Sequence, residues 1–88
     1  MSTPGRPYGD LGRAIKALRE RAELTQEELA DASGLHFTEI SHLESGRRNP
    51  TFKTLRGLAG GLGVPRWYLM ATEERIALKR GAESAEAD

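Results

Sequence analysis

Apolar residues recur along the chain at three- and four-residue intervals, and glycine, proline and capping residues cut the pattern into short stretches. That spacing is the period of amphipathic helices, and no two-residue alternation competes with it as a strand signal. Leu11, Ala14, Ile15 and Leu18 form the first stripe, which predicts a helix from about Leu11 to Arg21 with Asp10 as its N-cap. The second start is sharper. Thr25 and Glu28 have capping-box spacing, Leu24 and Leu29 occupy the staple positions around them, and the helix should end near Ala32. Ser33 and Gly34 interrupt it, and a third helix from Phe37 to Ser45 carries Ile40 and Leu43 inward before Gly46.

Pro50 and Thr51 lead into a fourth helix, where Phe52, Leu55, Leu58, Ala59 and Leu62 keep the helical spacing. Gly57, Gly60 and Gly61 weaken it by roughly 0.5 to 1 kcal/mol each relative to alanine, unless close packing compensates. Gly63 suits its C-cap, and Pro65 suits the first turn of a fifth short helix containing Trp67, Tyr68 and Leu69. Residues 73–80 either extend that helix or follow it as a sixth piece. The expected fold is all-α, a compact bundle of about five short helices, with a core around Ile15, Leu18, Leu29, Ile40, Leu43, Leu55 and Leu58. Residues 1–9 read as a flexible N-terminal arm, 10–72 as the domain, and 73–88 as a C-terminal helical extension with a frayed tail.

Composition acts mainly by exclusion. The 88 residues are enough for one domain, and the absence of cysteine rules out disulfides and thiolate chemistry. No apolar run approaches the roughly 20 residues needed to cross a bilayer, and no leader pattern opens the chain, so a soluble cytoplasmic protein without a membrane partner is expected. Lys plus Arg and Asp plus Glu are 13 each, so the formal net charge is zero and any nucleic-acid contact needs a local positive field. Catalytic motifs are absent. His36 and His42 stand about 120° out of phase on a helix, no HExxH is present, and the Gly-rich stretch near residue 60 lacks the Lys-Ser/Thr of a phosphate loop. Neither an enzyme nor a cofactor or metal site is expected.

The helices Gln26 to Ala32 and Phe37 to Ser45, with the glycine-containing turn between them, have the dimensions of a helix-turn-helix. If Ile40 faces inward, a rotation of about 100° per residue sets Leu43 and Glu44 near the inner side and Thr38 and His42 opposite. Those two are therefore candidates for reading base edges. His42 donates or accepts according to its tautomer, and Thr38 offers a hydroxyl and a methyl group. Phe37 either meets a thymine methyl or seals the turn against the core. Gln26 opens the supporting helix, where a side-chain amide and unfilled backbone N–H groups converge on a place that favours an anion. Glu39 closes the reader's N-terminus or, as the lesser option, accepts from cytosine N4.

Residues 25–50 carry TQEELA, SGL and the IS.LE.G pattern, followed by Pro50, Leu55, Leu58, Ala59 and Leu62 in the spacing P....L..LA..L. This combination resembles the lambda-repressor-like, Cro/C1-type helix-turn-helix DNA-binding family, also called the XRE family, over about residues 10–70. The resemblance implies base contacts from His36, Phe37, Thr38 and His42, and phosphate contacts from Gln26 and from the Arg47, Arg48 and Asn49 loop. It also implies a structural pair between Arg19 and Glu44. The expected function is sequence-specific binding of double-stranded DNA by a small transcriptional regulator acting as a repressor.

One short reader samples few base pairs, so a homodimer on a palindromic operator is expected, joined after residue 50 with Trp67 or Tyr68 at the contact. Equally, the two aromatics can cap their own subunit's core. The alternative function is an antitoxin-like protein-interaction module in which DNA binding is secondary. Its signature would be a dominant exposed patch from Trp67, Tyr68, Ile76 and Leu78, with the Thr38 and His42 face obstructed.

Overall fold

The computed structural model describes residues 7–86, with side chains through residue 83, as five helices: α1 (Gly9–Arg21), α2 (Gln26–Ser33), α3 (Phe37–Glu44), α4 (Phe52–Leu62) and α5 (Arg66–Glu86). They form a compact all-α bundle in which α2, a tight turn and α3 make the helix-turn-helix. Residues 1–6 of the expected arm lie outside the described residues. Just before α1, the Tyr8 N–H donates to the Gly46 carbonyl at 3.2 Å.

Local chemistry explains most boundaries. Thr25 Oγ1 accepts from the Glu28 N–H at 3.0 Å while Glu28 Oε1 accepts from the Thr25 N–H at 2.8 Å, closing a reciprocal box at the start of α2. Thr51 Oγ1 accepts from the Thr54 N–H at 3.1 Å and starts α4 in the same manner. Gly34 takes φ 73°, a left-handed conformation that ends α2 without a side-chain clash. The connection from α1 to α2 turns at Glu23, with φ 60°, although no glycine signals a turn there.

Asp10 is not the N-cap of α1. The helix begins at Gly9 behind Tyr8, which makes no side-chain cap, and Asp10 stands within the first turn. Its carboxylate still suits the positive end of the helix, and it is drawn to stronger partners. Arg80 Nη2 and Nε donate to its two oxygens at 2.6 and 3.0 Å, and Arg13 Nη1 donates at 3.2 Å. The hydrogen bond from Arg80 holds the Asp10 carboxyl below the ordinary carboxylate range, whereas burial and then the Asp10 charge push Glu73 up.

The clasp contribution of a depressed Asp10 is complete above the unfolded value of about 3.9 and disappears as pH falls through the lower folded value. Thermal unfolding followed below about pH 4 should therefore show a steeper acid loss in the parent chain than in Asp10→Asn. Equal slopes would show that the clasp contributes nothing.

α5 is one 21-residue helix, so residues 73–80 extend it and no break marks residue 72. The helix runs on to Glu86: alanine and glutamate at 82, 83, 85 and 86 are good helix formers, and Gly81 alone does not stop it.

The core draws on every helix: Leu11, Ala14, Ile15, Leu18, Leu29, Ile40, Leu43, Leu58, Leu62 and Leu69 are buried together. Leu55 is only half-buried at its margin. Phe52 has the spacing of a core residue but is 62% exposed, because it opens α4 beyond the core; the Arg66 guanidinium stands 4.4 Å from its ring centre. Two glycines allow backbones to touch. A β-carbon at position 57 would lie 2.8 Å from the Ser33 carbonyl oxygen, and one at position 12 would lie 2.5 Å from that of Glu44. The first contact seats α4 against the end of α2, and the second seats α1 against the end of α3.

Candidate nucleic-acid interface

Ile40 and Leu43 anchor α3 in the core, with 0% and 1% of their surface exposed. The helical rotation then turns the opposite side outward: His36, Phe37 and Thr38 are exposed and His42 is half-exposed. Phe37 retains 47% of its surface and lines a shallow open cleft with Ala30, Leu35, His36 and the acidic pair Glu27 and Asp31. Arg47, Arg48 and Asn49 follow α3 with exposed side chains, and the Arg47 N–H donates to the His42 carbonyl at 3.1 Å, which fixes where that loop departs.

Behind the outward face lies a network joining α1, α2 and α3. Arg19 Nε donates to Glu44 Oε2 at 2.6 Å and Nη2 donates to Oε1 at 3.1 Å, a bidentate pair whose side chains are 12% and 5% exposed. Arg19 Nη1 donates to the Leu24 carbonyl at 2.8 Å, so the same guanidinium also holds the turn before α2. The hydrogen bond to Glu44 raises the Arg19 pKa further, and the ion remains charged at every relevant pH.

Gln26 completes the network, its Nε2 donating to Glu44 Oε1 at 2.9 Å. The second hydrogen on that nitrogen is left as a donor. Gln26 thus stands at the start of α2 with one donor committed to the reader helix and one available to an external acceptor. The carboxylate acts as a common acceptor that fixes α1 and α2 relative to α3.

Trp67 and Tyr68 part company. Tyr68 is half-buried and its hydroxyl accepts from Arg21 Nη1 at 3.1 Å, which ties it to α1 of its own subunit. Trp67 meets Tyr68 edge to face at 5.7 Å but is itself 68% exposed. Sequence spacing also missed Leu69 and Thr72, both buried on α5. Their stripe is signalled only once 66–86 is taken as one helix, since Leu69, Thr72 and Ile76 then recur at three and four residues. Among the described residues, no cluster of three or more His, Cys, Asp or Glu is placed to hold a metal, and no helix is long and apolar enough to cross a membrane.

An anchored helix with an open polar face, crossed by a second helix and followed by a basic loop, defines a helix-turn-helix DNA-binding domain. A helix-turn-helix family model matches residues 15–67, and the chain belongs to this family, of the Cro/C1 or XRE type. It is 39% identical over 54 residues to the immunity repressor protein of Bacillus phage phi105, which covers 61% of this chain and 38% of the phage protein. The chain therefore spans well under two thirds of that relative. Solved restriction-modification controller proteins match over nearly their whole length. C.AhdI from Aeromonas hydrophila is 31% identical with TM-score 0.69, covering 70% of this chain and 94% of its own. C.Esp1396I is 33% identical with TM-score 0.76, covering 82% and 94%.

Proposed function

We propose that the chain binds double-stranded DNA sequence-specifically as a homodimer and represses transcription by occupying a palindromic operator. The observation that carries this reading is the open face of α3: Thr38 and His42 point away from a fully buried Ile40. In this reading His36, Phe37, Thr38 and His42 meet base edges, while Gln26, Arg47, Arg48 and Asn49 hold phosphates. The phage relative is named a repressor and two structural relatives are named controller proteins, which supports a regulatory role. Such a role places the protein with the DNA, in the cytoplasm. Two readers related by a two-fold axis would address half-sites about 34 Å apart.

Selection of binding sites from random duplexes, followed by titration of the two variants His42→Ala and Arg47→Ala, tests the assignment. His42→Ala should change the preferred sequence and cost about 1 to 3 kcal/mol at its base pair, with the fold intact. Arg47→Ala should weaken all duplexes alike and reduce the salt slope by about 1. Failure to select any motif at low salt would reject DNA recognition. The protein-interaction alternative is supported by the exposed Trp67 and Leu78, but its other signature is missing: the described residues leave Thr38 open.

A further inference from the structure

The start of α1 and the far half of α5 meet at Asp10. Arg80 grips the two carboxylate oxygens at 2.6 and 3.0 Å, and Arg13 adds a third contact at 3.2 Å from the next turn of α1. The Asp10 side chain is 16% exposed, but those of Arg80 and Arg13 are 60% and 64% exposed. Ion pairs so open to water contribute little to stability. A two-pronged contact between residues seventy positions apart does fix geometry, because the planar guanidinium sets both the distance and the direction of the carboxylate.

The opposite side of the same turn carries α3. Asp10 and Gly12 stand about 200° apart around the helix, so the clasp and the Gly12 contact hold α1 from opposing faces. At Gly12 the backbones touch: an added β-carbon would lie 2.5 Å from the Glu44 carbonyl oxygen and 2.7 Å from that of Leu43. On the other side of Asp10, the Tyr8 N–H donates to the Gly46 carbonyl. Gly46 is buried with φ 79°, and the next residue is Arg47, whose own N–H is tied to the His42 carbonyl. The first turn of α1 thus stands between the clasp and the point where the Arg47, Arg48 and Asn49 loop leaves α3.

We infer that Asp10 and Arg80 are positioning residues for DNA binding, and that their clasp, acting through the first turn of α1, holds the end of α3 and the basic loop where the loop meets phosphates. Neither residue touches DNA. The inference rests on the DNA-binding reading and brings into it the far half of α5, which lies outside the helix-turn-helix. Its effect has a ceiling. Coupling between clasp and loop cannot exceed what the clasp itself contributes, and for an exposed pair this limits the loss of affinity to about fivefold.

Charge alone and positioning predict opposite signs at Asp10. Removing a carboxylate from a protein that binds a polyanion tightens binding when only charge counts, whereas losing the clasp weakens it. With the full chain and a duplex obtained by motif selection, Asp10→Ala and Arg80→Ala should each raise Kd by about three- to fivefold. The double variant should be no weaker than either, since both remove one interaction. Salt slopes should equal the parent's, because no phosphate contact is lost. Lys79→Ala is the control for charge. That exposed neighbour of Arg80 enters no ion pair among the described residues, and its loss should leave Kd within about 1.5-fold.

Amide resonances of the folded variants, checked by circular dichroism, report the route. Arg80→Ala should move the signals of Tyr8 and Arg47 and leave that of Leu29, bonded to the Thr25 carbonyl within α2, in place. An Asp10→Ala chain that binds as tightly as the parent, or an Arg47 signal unmoved by Arg80→Ala, would overturn the positioning role and leave DNA recognition standing. A reduced salt slope in Arg80→Ala would overturn it as well, because Arg80 would then meet a phosphate itself. A parent chain that selects no motif would remove DNA recognition and this role together.

Discussion

Replacing Glu44 with alanine should destabilise the domain by about 3 kcal/mol or more, the scale of losing one partner from a buried ion pair. Three donors converge on or beside this carboxylate: Arg19 Nε, Arg19 Nη2 and Gln26 Nε2. Removing it strands a guanidinium whose side chain is only 12% exposed and whose remaining hydrogen bond, to the Leu24 carbonyl, neutralises no charge. The effect belongs to the broken pair. An apolar double replacement such as Arg19→Met with Glu44→Leu should recover much of the loss, because it removes both desolvation penalties together.

Chemical denaturation of the two alanine variants and their double gives the coupling energy, expected at about 1 to 3 kcal/mol. A value near zero would mean that water has taken over the pair. The folded fraction of Glu44→Ala should also bind DNA less tightly, since Gln26 and α3 lose their common anchor.

Ile40→Ala should cost about 2 to 5 kcal/mol, whereas Thr38→Ala should stay within about 0.5 kcal/mol of the parent. The two residues are neighbours on one helix, but Ile40 is fully buried in the core, on a helix packed against α1 and α2, and Thr38 is exposed. A domain of this size has a total stability near the lower end of about 5 to 15 kcal/mol, so the Ile40 loss takes a large share of it. Binding should rank differently from folding. Thr38→Ala remains folded and loses preference for particular duplexes, while Ile40→Ala loses affinity in proportion to its unfolded fraction. Thermal melts beside duplex titrations separate the two outcomes, and equal stabilities would show that the site collapses around the cavity.

What could be read from the sequence was local in origin. The Thr25 and Glu28 box, the Gly34 stop and the inward phase of Ile40 and Leu43 each depend on residues within a turn or two of one another. The faces of α2 and α3 follow from them. Pairing of Arg19 with Glu44, twenty-five positions apart, rested on the family resemblance, because spacing offers no rule for a contact between two helices.

Long-range selection accounts for the corrections. Asp10 has the chemistry of a cap, but Arg80 competes for it from seventy positions away. Phe52 has the period of Leu55 and Leu58, yet position along α4, as well as phase around it, decides whether a side chain reaches the core. The glycines of α4 read as weaknesses until Ser33 is seen against position 57, where any side chain would collide.

The contact at Gly12 bears on how such a protein can change its target. With no side chain between the backbone of α1 and the last carbonyls of α3, the angle at which α3 leaves the core is fixed by main chain, which is common to all sequences. Outward positions such as Thr38 and His42 are then interchangeable characters in a rigid frame. New preferences can be acquired by single substitutions there, each judged on its own merits. A change at position 12 would instead tilt every character at once, so diversification of this scaffold is channelled to one face of one helix.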